Sequence, residues 1–167
     1  MTKKSRFITH AALIAALYVT ITYLQNMLIP DSATWAIQFR ASEALCVLAL
    51  FTPAAIPGLS IGCFLFNLSY SAALPLDTVL GTAATVLATL GMYHCRNLTV
   101  KGYPLLAMLL PALFNGILVG LELAIYIGGG FWLNAFYVAL GELAVLATLG
   151  SALFYAMKSR KLQSLFD

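Results

Sequence analysis

At 167 residues the chain has the length of one domain, and it is 62% hydrophobic with only 9% charged residues and a formal net charge of +3. Those proportions exclude an ordinary soluble globular domain and point to a protein embedded in lipid. The small positive charge is explained by where the cations sit and is no argument for a nucleic-acid partner.

Apolar runs close to the length that crosses ~30 Å of hydrocarbon at ~1.5 Å per residue recur along the sequence. The first predicted helix, 7–29, is too long for a signal peptide and lacks a small-residue cleavage site, so it reads as a span. The second and third, 41–51 and 54–68, are short and separated by Thr52 and Pro53, with Pro57 and Gly58 close behind. They read as two short helices joined by a tight turn, with one broken span as the alternative. The fourth, fifth and sixth cover 76–94, 103–126 and 131–157.

The cations test this count. Lys3, Lys4 and Arg6 precede the first helix, Arg96 and Lys101 lie between the fourth and fifth, and Lys158, Arg160 and Lys161 follow the sixth. Six helices put all three clusters on one side, as the positive-inside bias of short loops requires, whereas five would separate the first cluster from the others. The expected fold is therefore an all-α integral membrane protein of one domain, 1–167, with six transmembrane helices in a compact bundle. Both termini are expected in the cytoplasm and the protein in the cell membrane, crossing it several times. Arg40 is the cation left on the outer side.

Several chemistries lack their residues. No Gly-rich loop ending in Lys-Ser/Thr holds phosphates, no His-Glu-x-x-His or His/Cys cluster offers a metal site, and no Ser/His/Asp set is plausible, since His10 and His94 lie at the cytoplasmic edge. The chain is expected to be no enzyme, with no catalytic residue, metal or cofactor. Cys46, Cys63 and Cys95 are odd in number, lack metal-type spacing and read as packed free thiols.

Ionisable groups inside membrane helices cost roughly 2.5–3.5 kcal/mol each and usually face an interior or a cavity. Here they are Glu43, Asp77, Glu122 and Glu142, accompanied by Asn67, Asn115 and Asn134. Along the fifth helix Glu122 falls ~6 Å and Asn115 ~16 Å below the outer end; along the sixth Asn134 falls ~5 Å and Glu142 ~16 Å below it. Asp77 opens the fourth helix on that side, Asn67 closes the third, and Arg40 with Glu43 opens the second. All converge on the outer half. Each pair on the fifth and sixth helices also shares one stripe, by its spacing of seven or eight. Gly116, Gly120 and Gly141 beside them allow close approach, and Gly128-Gly129-Gly130 offers a hinge over the site.

Structural readings stand beside the binding ones. Arg40 can pair with Glu43, Asp77 can serve as a first-turn acid, and Asn67 and Asn134 can bond across helices. Trp35 and Trp132 suit either an interfacial belt or stacking on an aromatic ligand. Four acids against one arginine favour a cation or a solute presenting several N–H donors; a carboxylate accepting two parallel N–H bonds matches a guanine-like edge. In the first helix Ala11, Ala12, Ala15 and Ala16 form two small-x-x-x-small frames that would let another helix approach closely.

The chain resembles the QueT family, substrate-binding S components of energy-coupling factor (ECF) transporters, over almost its whole length. The resemblance is carried by Gln38 to Leu45 (QFRASEAL), Pro57 to Asn67 (PGLSIGCFLFN), Leu76 to Thr82 (LDTVLGT), Pro111 to Gly116 (PALFNG) with Glu122, and Ala139 to Leu143 (ALGEL). It implies a six-helix protein that captures a queuosine precursor, the 7-deazaguanine base preQ1, from outside. Its implied partners are a transmembrane coupling subunit, docked on the alanine frames, and two cytoplasmic ATPases. Arg40, Glu43, Asn67, Asp77, Asn115, Glu122, Asn134 and Glu142 are the expected substrate-binding residues. The alternatives are an S component for another vitamin-like solute, or a proton-coupled secondary transporter using Glu122 and Glu142 as protonation sites.

Overall fold

The computed structural model describes residues 2–30, 32, 39–69 and 75–158. Trp35, Gln38, Arg160 and Lys161 lie outside them. The described chain is helical apart from turns and one isolated bridge between Val100 and Tyr103. Its elements are α1 (Lys3–Leu28), a 3-10 helix (Ala41–Leu50), α2 (Ala55–Ser69), α3 (Asp77–Cys95), α4 (Leu105–Tyr126) and α5 (Phe131–Lys158). The second and third predicted segments are two helices, parted by a turn at 51–54.

Three of these, α1, α4 and α5, are long and apolar enough to cross a membrane unaided. The 3-10 helix has only ten residues, but a 3-10 winding rises ~2.0 Å per residue against ~1.5 Å in an α-helix, so it covers ~20 Å. Such a run is unusually long for this geometry, and it is deeply buried. Glu43, Ala44 and Cys46–Leu50 are all inaccessible, because this segment packs against every other helix. Successive helices α1 to α5 pack side by side around it. Outward, α1, α4 and α5 expose large apolar side chains such as Leu13, Leu113, Phe136 and Leu140, as lipid contact demands.

Backbone approach sets the seams. A Cβ on Gly120 would lie 2.6 Å from the Ala135 Cα, so α4 and α5 meet there at backbone distance. Gly120→Val should therefore force them apart at a cost of roughly 1–3 kcal/mol, read as a lowered thermal midpoint in detergent. An unchanged midpoint would show that this seam can relax. On α1, Ala11 and Ala15 face α2: a Cβ on Gly58 would lie 2.7 Å from the Ala11 carbonyl oxygen, and one on Gly62 3.0 Å from that of Ala15. Late in α5, Leu146–Gly150 forms a π turn, and the Ser151 hydroxyl caps the Leu146 carbonyl at 3.1 Å. This turn begins one helical turn beyond Glu142 and packs on the 3-10 helix.

Candidate functional site

The polar stripe of α1 reaches the site first. Tyr18, Thr22 and Gln25 follow one another at spacings of four and three, so they share a face. Tyr18 is fully buried and its hydroxyl donates to Glu43 Oε1 at 2.5 Å. The Thr22 hydroxyl lies 2.7 Å from both the Tyr18 carbonyl and Ser42 Oγ. Gln25 accepts from the Ala41 N–H at 2.7 Å and donates to the Phe39 carbonyl, fixing the start of the 3-10 helix.

Glu43 is thereby committed on both oxygens, since Cys46 Sγ donates to Oε2 at 3.2 Å. Its partner is not Arg40, as the spacing of three residues suggested. Arg40 crosses to α3 instead, where Nη2 meets Asp77 Oδ2 at 2.7 Å with both side chains about 5% exposed or less. The guanidinium also stands 5.8 Å over the Phe66 ring. Asp77 occupies the first turn of α3, and its backbone carbonyl accepts from Asn67 Nδ2 at 2.9 Å, tying α2 to α3. Glycine is required opposite: a Cβ on Gly81 would press on the Asp77 carboxylate and lie 2.8 Å from Asn67 Nδ2.

Glu122 of α4 lies within electrostatic reach of Asp77 and Arg40, and Glu142 of α5 within reach of Glu43 and Arg40. Arg40 thus pairs with Asp77, and its charge also bears on Glu43, Glu122 and Glu142, acids brought from three further elements. Glu122 is fully buried beside Asp77, which lies within hydrogen-bonding reach of it, and neither of its oxygens makes a well-formed hydrogen bond among the described residues. Asp77 Oδ1, Asn67 Oδ1, Glu142 Oε2 and Asn115 Nδ2 are likewise buried without one. Asn115 shares the stripe of Glu122 on α4, two turns deeper. Asn134 behaves differently: its amide donates to the carbonyls of Gly128 and Gly130, at 2.7 and 3.1 Å, and holds the three-glycine loop. Those glycines all have φ between 76° and 86°, a conformation that only glycine adopts freely.

Tyr18 and Gln25 are the positioning residues that sequence reasoning did not single out, although the 18/22/25 spacing carried the signal. The thiols of Cys46, Cys63 and Cys95 are free, as expected. No group of three or more potential ligands for a metal ion occurs among the described residues.

An apolar exterior around a closed polar interior of four acids and one arginine is the build of a helical membrane protein that handles a polar solute. The QueT transporter family model matches residues 8–159, and the chain belongs to that family. It is accordingly a membrane transport protein. No curated protein and no solved structure matches it significantly.

Proposed function

We propose that the chain is the solute-capturing S component of an ECF transporter, crossing the cell membrane six times with both termini in the cytoplasm. It takes a 7-deazaguanine queuosine precursor, preQ1, from outside. A membrane coupling protein and two cytoplasmic ATPases then drive its release inward. The observation that carries this reading is Glu122, a buried carboxylate beside a second acid, Asp77, with no well-formed hydrogen bond among the described residues. Burying such a group without a well-formed hydrogen bond costs several kcal/mol, and a ligand that supplies donors recovers that cost on binding.

The division of labour follows from the open atoms. Glu122, whose oxygens make no well-formed hydrogen bond among the described residues, receives the paired N–H groups of the guanine-like edge in exchange for its contact with Asp77. Glu142 offers one buried oxygen to the aminomethyl cation, and Asn115 orients the ring. Arg40, Asp77, Glu43 and Asn67 hold these groups in place, with the Arg40–Asp77 pair preventing the four acids from repelling one another apart. Asn134 acts on the loop above.

The docking face lies along α1 where it borders α2. Ala12 and Ala16 are exposed and, with Ala11, Ala15, Pro57, Ile61 and Leu65, line an apolar groove of about 680 Å³ there. Ala11 and Ala15 are nearly covered by α2, so Ala12 and Ala16 are the more accessible frame for a coupling subunit. Ala12→Leu should fill the groove, blocking co-purification with the coupling module and uptake while leaving preQ1 binding within twofold; normal assembly would remove this face from the account.

Uptake of labelled preQ1 by cells tests the whole reading. Cells carrying this chain with a coupling module should accumulate it, and cells carrying the chain alone should not. Accumulation by the chain alone, abolished when the proton gradient is collapsed, would replace the ECF reading with a proton-coupled carrier.

A further inference from the structure

The end of the bundle opposite the carboxylate cluster holds a second cavity, of about 280 Å³, walled by Phe51, Arg96, Thr99, Gly102, Phe154 and Lys158. It lies where the 3-10 helix ends, α3 turns into α4, and α5 completes its last turn. The turn is tight: Lys101 and Gly102 both have positive φ, 51° and 78°, and Val100 and Tyr103 close it with two backbone hydrogen bonds. That geometry aims the Gly102 carbonyl at Lys158, whose Nζ donates to it at 3.1 Å. Arg96 is held by its own turn, with Nη1 on the Tyr93 carbonyl at 2.5 Å and its guanidinium 3.9 Å over the Tyr93 ring.

Every one of these partners is neutral. Each cation keeps further N–H donors, and neither meets a carboxylate among the described residues. The distribution of acids explains why. Of the six, Glu43, Asp77, Glu122 and Glu142 belong to the Arg40 cluster, and Asp31 and Asp167 lie outside the described residues. Next in sequence to its lining residues Thr99, Pro104 and Phe154, the side chains of Leu98, Val100, Leu105 and Tyr155 are exposed. Two cations that meet no carboxylate among the described residues, with exposed apolar side chains next to them in sequence, match a phosphate carried on hydrocarbon better than a phosphate free in water.

We propose that this cavity binds the phosphate of an anionic phospholipid in the cytoplasmic leaflet, with Arg96 and Lys158 holding its oxygens and the Thr99 hydroxyl adding a donor. The acyl chains lie along the exposed apolar side chains. The proposal rests on the membrane topology given above and is independent of what the outer site binds. Bound lipid would hold the turn between α3 and α4, and with it the cytoplasmic end of the bundle, at the headgroup layer.

The test is native mass spectrometry of the full chain incubated with phosphatidylglycerol or phosphatidylcholine. Wild type should retain phosphatidylglycerol preferentially, Arg96→Gln/Lys158→Gln should weaken that retention about tenfold or more, and Lys3→Gln/Lys4→Gln should not. The charge-conserving Arg96→Lys/Lys158→Arg should retain it, separating charge from damage to the fold. Wild-type preference should also fall with added salt, which carries the test even if the neutral pair does not fold. Equal retention of both lipids, retention surviving the neutral pair, or preference indifferent to salt would overturn the proposal. Inorganic phosphate binding as tightly through the same two side chains would overturn the assignment to lipid.

Discussion

Glu122→Gln is expected to reduce affinity for preQ1 by a hundredfold or more while leaving the protein folded. The carboxylate offers two charged acceptors, and each hydrogen bond to a charged group is worth roughly 1.5–3 kcal/mol, so losing the charge removes about 3 kcal/mol or more. Glutamine keeps one acceptor but turns an N–H toward the ligand's own donor, which adds repulsion. The unliganded protein should respond in the opposite sense. A buried carboxylate held beside a second acid, with no well-formed hydrogen bond among the described residues, weakens the fold, so the glutamine variant should melt at or above the wild-type temperature. Titration and a melting curve on one preparation read both effects. Unchanged affinity would remove Glu122 from the site, and lost affinity with a collapsed melting transition would make its role structural.

The largest effect on stability is expected at Arg40. Arg40→Met leaves Asp77 buried without its 2.7 Å partner and removes the cation common to Glu43, Glu122 and Glu142. Breaking a buried pair in this way costs about 3–5 kcal/mol, which for a chain of this size corresponds to a fall of order 10 °C in melting temperature. Adding Asp77→Asn should restore a large part of the loss, because the uncompensated charge goes with it. A single variant that melts with wild type would show that the pair does not hold α3 to the 3-10 helix. A double variant no better than the single would assign the damage to lost packing of the arginine over Phe66.

Run length and punctuation made the helices legible. The predicted 131–157 became Phe131–Lys158, and 76–94 became Asp77–Cys95, since Gly130 and Pro75 interrupt the apolar pattern just before each. Winding was not legible in the second segment. An apolar ten-residue stretch reads the same as an α-helix or a 3-10 helix, so the sequence pattern does not choose between them. The membership of the polar cluster was visible for a physical reason, the cost of ionisable groups in an apolar helix. Who pairs with whom was not: Arg40 and Glu43 are three apart, yet the arginine reaches Asp77, 37 residues on, and Glu43 turns to Tyr18. Tyrosine in a membrane helix suits a belt or a core equally well, so its role emerged only with the fold. The alanine frames were visible as a pair, but only packing on Gly58 and Gly62 separated the inward frame from the outward one.

The most direct test of the account is a calorimetric titration of the purified chain, alone in detergent, with preQ1, guanine and thiamin. Saturable binding of preQ1, at least tenfold tighter than guanine because guanine lacks the cation for Glu142, is the predicted result, with thiamin not binding. Folded protein that ignores preQ1, or that prefers thiamin, would contradict the assignment of this carboxylate site to a 7-deazaguanine.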